Sequence, residues 1–251
     1  MHDTLPDLIY EDLVPTREYL RNCALIIGAL QRAYLPKDPH LWQYGLEVNM
    51  RGPATQAFKI GSHETRASLD LVTHKLRLDG SKWLFMEYDT PELLKNVRVW
   101  LESKQAGKFE EPELTPGARY DKNQAEKYAS ALWWLDVQFR QLAIGLKSGL
   151  ISPILLYPHH FDLALSWFPQ NDEKQLTIGW STGDDNIPES YLYITAYPEP
   201  AGFGQQQLPE GARWQTKGFS GTVLPYWALA ETANPAELFQ QFAAMLTTPR
   251  F

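Results

Sequence analysis

Apolar residues three or four apart, Tyr19, Cys23, Ile27, Leu30 and Tyr34, predict a helix from about Thr16 to Tyr34 with one buried stripe. Pro15 and Thr16 mark its start and Pro36 its stop, since proline offers no amide hydrogen to a helix interior. The pattern then changes to a period of two. Leu46, Val48 and Met50 alternate with Glu47, Asn49 and Arg51 as a half-buried strand would. Further strands are expected at Thr55–Ile60, Arg66–Thr73, Lys75–Leu78 and Trp83–Tyr88, with Asp79-Gly80 as a hairpin turn of residues that tolerate positive φ. A second helix follows, capped by Thr90 and opened by Pro91, with Leu94, Val97 and Leu101 facing inward.

Ala106 to Tyr120 shows no periodicity and reads as a linker or long surface loop. After it the order begins again. Asp121 and Gln124 form a capping box for a long helix carrying Ala125, Leu132, Leu135, Phe139, Leu142 and Leu146 inward. Strands are predicted at Ile154–Leu156, Phe161–Phe168, Leu176–Trp180, Tyr191–Tyr197 and Arg213–Phe219. A short helix is expected over Pro225–Glu231. A last one is capped by Asn234, opened by Pro235 and buries Leu238, Phe242 and Met245. Runs of short strands bracketed by helices predict an α+β fold, antiparallel sheets flanked by helices. The expected organisation is two similar helix–strands–helix halves, 1–106 and 121–251, joined by a loop at 107–120, or one compact domain.

Charge and cysteine content narrow the partners. The 251 residues carry 23 basic and 30 acidic side chains, a net charge of −7, so no electrostatic drive toward a nucleic-acid backbone is expected. No apolar run is long enough to span a bilayer, and acidic residues precede the apolar stretch from Cys23 to Leu30, the reverse of a signal peptide. A single cysteine, Cys23, excludes an internal disulfide and fits the cytoplasm.

Candidate chemistry clusters in a few places. On a strand His160 and Asp162 share one face, as an acid–base pair or, weakly, as two metal ligands; their plainer reading is a histidine oriented by a carboxylate. In Tyr197-Pro198-Glu199-Pro200 each proline holds the preceding residue extended and presents a phenol and a carboxylate on a stiff segment. Tyr191, Tyr193 and Tyr197 form an aromatic strand face, and Trp180 sits near a segment end, so Tyr193, Tyr197, Glu199 and Trp180 are candidate ligand contacts. Arg51 could fork a substrate anion but is more simply paired with Asp70 or Glu199. Cys23 reads as a core residue, and Gly179–Asp185 as a polar hairpin loop rather than a phosphate site.

The run Tyr197-Pro198-Glu199-Pro200-Ala201-Gly202-Phe203 resembles the hallmark of a bacterial family known only as domain of unknown function 5996. Arg51-Gly52, Asp70 with His74, Ser152-Pro153 before His160–Ala164, and Leu224-Pro225-Tyr226 look like the same pattern in the same order. The resemblance implies membership and supplies no chemistry, cofactor or substrate. The expected function is therefore a module that binds a small molecule or a protein partner. The alternative is a metal-dependent or acid–base hydrolase-like enzyme that uses His160, Asp162 and Glu199 between the two halves.

Overall fold

The computed structural model describes residues 5–107, 109–146 and 148–247. In chain order the elements begin with α1 (Tyr10–Tyr34), β1 (Glu47–Asn49), β2 (Gly52–Ala54), β3 (Phe58–Ile60), β4 (His63–Thr65), β5 (Ser68–Asp70), β6 (Lys75–Arg77) and β7 (Trp83–Phe85). They continue with α2 (Thr90–Ser103), α3 (Lys122–Gly145), β8 (Leu150–Ile151), β9 (Leu155–Tyr157), β10 (Asp162–Phe168), β11 (Gln175–Ser181) and β12 (Tyr191–Tyr197). Last come β13 (Arg213–Gln215), β14 (Gly221–Pro225), α4 (Tyr226–Glu231) and α5 (Pro235–Ala243). The fold is α+β with antiparallel sheets. No helix among the described residues is long and apolar enough to cross a membrane. The chain forms two compact units, Glu11–Trp133 with Leu155–Phe161, and Met1–Tyr10 with Trp134–Ile154 and Asp162–Phe251. The division runs through α3, and the segment 107–120 lies wholly within the first unit.

In the first unit α1 is buried on nearly every side from Tyr19 to Gln31, a wider face than the single predicted stripe. It also begins at Tyr10 and runs through Pro15. The carbonyl that this proline leaves without a donor belongs to Glu11, an exposed residue whose oxygen water can reach, so the usual break is avoided. Two buried amides then tie loops to the helix. Gln31 Nε2 donates to the carbonyls of Gln43 and Gly45, both at 2.8 Å, and its oxygen accepts from Gln56 N. Asn22 Nδ2 donates to Thr90 Oγ1 and Thr115 O, while Thr115 N donates back to Asn22 Oδ1 at 2.9 Å. The irregular 109–120 segment is thus held by the backbone at Thr115 rather than left as a free tether.

The sheet of this unit runs β1-β2-β5-β6-β7, with β3 and β4 as a separate hairpin. Leu69, Leu76 and Leu84 lie in register and are all buried, which defines the inner face. Met50 leaves the predicted alternation: β1 ends at Asn49, and Asn49 Oδ1 accepts from Arg51 N in a turn that exposes Met50. The turn at Asp79-Gly80 is closed by a carboxylate instead of by positive φ, as Asp79 Oδ1 accepts from Ser81 N and Lys82 N. Asp89, one residue before the predicted Thr90, caps α2 through Glu92 N. At α3 only half of the expected box forms. Gln124 N donates to Asp121 Oδ1, but Asp121 N is taken by Thr16 Oγ1.

In the second unit the strands order β13-β14-β12-β11-β10-β8. Leu163, Trp180, Leu192 and Leu224 form one register row and Leu165, Ile178 and Ile194 the next, all buried. Each such aliphatic side chain contributes roughly 1.5–3 kcal/mol of burial. β14 was not expected from the pattern, because its glycine and proline weaken the strand signal. On α5 Phe239 and Phe242 face inward, and Leu238, predicted to do so, is only half-buried.

Candidate functional site

Arg21, Leu25, Gly28 and Arg32 recur at helical spacing and so share one face of α1. At Gly28 the missing side chain makes room: a Cβ there would stand 3.4 Å from Pro158 Cγ and 3.6 Å from Arg32 Nη1. The Arg32 guanidinium therefore lies back against the helix, with Cζ 5.5 Å from the centre of the Tyr44 ring. Arg21 Nε donates to His159 O at 3.1 Å, and Arg21 Nη1 donates to Thr115 Oγ1 at 3.1 Å. A cleft of about 610 Å³ opens among these groups, lined by Arg21, Arg32, Tyr44 and His159 and also by Glu110, Glu111 and Glu113. Arg32 Nη1 is buried and has no hydrogen-bond partner among the described residues. His159 is held below the ordinary histidine range, first by burial and then by the charges of Arg32 and Arg21 and by His160.

None of the residues in this cleft was among the sequence candidates. A signal was present, two arginines eleven positions apart on the face that carries Gly28, but it became meaningful only once 109–116 and 158–161 were brought to that face.

The candidates themselves fall elsewhere. Arg51 pairs with Asp70, and Arg51 Nε and Nη2 and Arg77 Nε all donate to Asp70 Oδ2 at 3.0, 2.7 and 2.8 Å. Burial would raise the Asp70 carboxyl, but the hydrogen bonds from Arg51, Arg77 and Thr73 outweigh it and bring it down to about 2. His74 meets Tyr120 Oη at 2.8 Å. His160 lies in the turn before β10, and Phe161 has φ 55, so strand alternation does not carry from His160 to Asp162 as expected. Asp162 opens β10, is buried, and accepts from Tyr193 Oη.

Glu199 sits at the other end of that sheet. Asp162 is level with Ser181 and Tyr191, whereas Tyr197 is level with Gln175, six positions and roughly 20 Å along the strands. Asp162 and Glu199 are therefore not brought together as an acid–base pair. Tyr197 is 75% exposed, the Tyr197–Pro198 peptide is cis, and Glu199 accepts from Ser220 Oγ at 2.6 Å. Phe203 anchors the same segment, buried with its ring edge-on to Trp214 at 5.4 Å. Trp180, proposed as a ligand contact, is fully buried and donates to Ser190 Oγ at 2.8 Å, because its position in β11 points to the core face. Tyr191 and Tyr193 pack with Ile187, Val223 and Phe219 instead of walling a wet pocket. Among the described residues no three His, Cys, Asp or Glu side chains are grouped so as to hold a metal ion.

The model of one protein family matches this chain over residues 5–85 and 170–246. The chain belongs to that family, described as a family of unknown function, DUF5996. Arg51, Asp70 and the Tyr197–Phe203 run lie within the matched residues, and His160 and Asp162 lie outside them. Neither the curated proteins nor the solved structures contain a match.

Proposed function

We propose that the protein is a binding module whose first unit takes a small anionic molecule into the cleft beside α1. The observation that carries this reading is the buried Arg32 Nη1, a charged donor without an acceptor among the described residues. Leaving such a donor unpaired costs about 1–3 kcal/mol or more, and a carboxylate or phosphate oxygen in the cleft would remove that cost. Arg21 and the Tyr44 ring stand ready to orient the same group, and the concave, largely preformed shape suits a small ligand.

Thermal unfolding of the full chain with inorganic phosphate and with citrate tests it. A ligand that binds only the folded state raises Tm with concentration. The expected result is a rise that disappears in Arg32→Gln and persists in Arg66→Gln, since neither Arg66 nor its partner Glu47 lines the cleft. A rise of equal size in Arg32→Gln, or none with any small carboxylate or phosphate, would overturn the proposal.

A further inference from the structure

The outer face of the β1-β2-β5-β6-β7 sheet carries a second arrangement, remote in kind from the cleft. Opposite the buried Leu69–Leu76–Leu84 row, register sets Arg77 beside Trp83, and Lys75 beside both Asp70 and Phe85. The Asp70 side chain is only 1% exposed, yet the two guanidiniums on it are open, Arg51 at 48% and Arg77 at 36%. One carboxylate oxygen takes Nε and Nη2 of Arg51 together with Nε of Arg77. Among the described residues, Nη1 of Arg51 and both Nη atoms of Arg77 have no acceptor and are left for another. Asp70 thus fixes two cations while neutralising one, which lowers the entropy cost of closing on an anion.

Beside this fork stand two exposed rings. Trp83 and Phe85 meet edge to face at 4.9 Å and are 39% and 44% exposed. Lys75 Nζ lies 3.8 Å from the Trp83 ring centre, adding a third cation. Three cations around one buried anion stand out in a chain of net charge −7. Cross-strand neighbours lie about 5 Å apart and diagonal ones about 7–8 Å, so the fork and the rings stand next to one another on this face.

We propose that this face binds a mononucleotide, its phosphate between Arg51 and Arg77 and its base against Trp83 and Phe85. A phosphate alone would leave the rings without a role, and base stacking on exposed aromatics is a recognised source of affinity. A long polyanion is disfavoured by the overall negative charge and by the small number of cations.

Calorimetric titration of the full chain with adenosine 5′-monophosphate, adenosine, inorganic phosphate and a single-stranded oligodeoxythymidylate tests this. The monophosphate should bind, with adenosine and phosphate each about tenfold weaker or more at this face. Trp83→Ala and Arg77→Gln should each weaken the monophosphate about tenfold. Phe85→Ala repeats the aromatic test, and circular dichroism checks that each variant folds. Arg32→Gln in the cleft should leave the monophosphate unaffected, which keeps this proposal separable from the previous one. No binding at millimolar monophosphate, indifference to both Trp83→Ala and Arg77→Gln, or loss of binding in Arg32→Gln would overturn it. Tighter binding of the oligonucleotide than of the monophosphate would overturn the commitment to a single nucleotide.

Discussion

Tyr193 donates its phenolic hydrogen to Asp162 across the bare backbone of Gly179. Gly179 is the cross-strand partner of both Ala164 and Tyr193, so the ring lies over a position without a side chain and reaches the carboxylate diagonally. Asp162, which the sequence pattern paired with His160, is in this way tied to a tyrosine of its own sheet. The donor comes from β12, two strands away from Asp162 on β10 in the sheet.

Gly179→Ala should therefore unseat Tyr193, because the added Cβ would coincide with its ring. The expected cost is about 1–3 kcal/mol, read from the urea midpoint. Tyr193→Phe keeps the ring and removes the donor, and should cost about 1–3 kcal/mol through the buried Asp162 carboxylate. Equal midpoints for wild type and both variants would contradict the arrangement.

Asp70 makes stability depend on acid. Its folded value of about 2 lies below the unfolded carboxyl near 3.9, so the folded chain binds fewer protons. The stabilisation is present above about pH 4 and is lost as pH falls through about 2; with half-exposed arginines it amounts to roughly 1–2 kcal/mol. Asp70→Asn should flatten this part of the stability profile between pH 4 and 2, measured by chemical unfolding at each pH.

Replacing the buried amide in Asn22→Leu should loosen the 109–118 segment, since Thr115 loses its acceptor and its donor at once. Global stability should fall by about 1–3 kcal/mol. Limited proteolysis should then cut first within that segment, and unchanged cleavage would show that Asn22 does not hold it.

His159 titrates below the ordinary histidine value near 6.5, so folding opposes its protonation. Stability from this source is present above the unfolded value and declines as pH falls toward the folded one. Arg32→Gln removes one of the opposing charges, and the His159 ring resonances should then titrate at higher pH by NMR. A filled anion site should move them in the same direction.

The residues that formed elements by local rules were readable in advance. Period two marked β10, β11 and β12 within a residue or two, and helical spacing marked α1 and α3, because those signals depend on neighbours along the chain. The ends were less readable where a distant group competed. Asp121 N is claimed by Thr16, Pro15 is tolerated because Glu11 is wet, and β14 exists because β12 offers it a ladder. The candidate residues were legible as side chains with chemistry, and the Arg51–Asp70 pair was anticipated; the Tyr193–Asp162 bond needed the register of three strands.

What the amino-acid order determined alone was the α+β class, the family and the apolar faces, since burial pattern and backbone preference act over a few residues. The three-dimensional structure decided which polar groups meet. Arg32 and His159 are 127 positions apart along the chain, and only the packing of the 158–161 turn on Gly28 brings them to one cleft. Long-range pairing depends on how whole elements stack, and no local pattern encodes that.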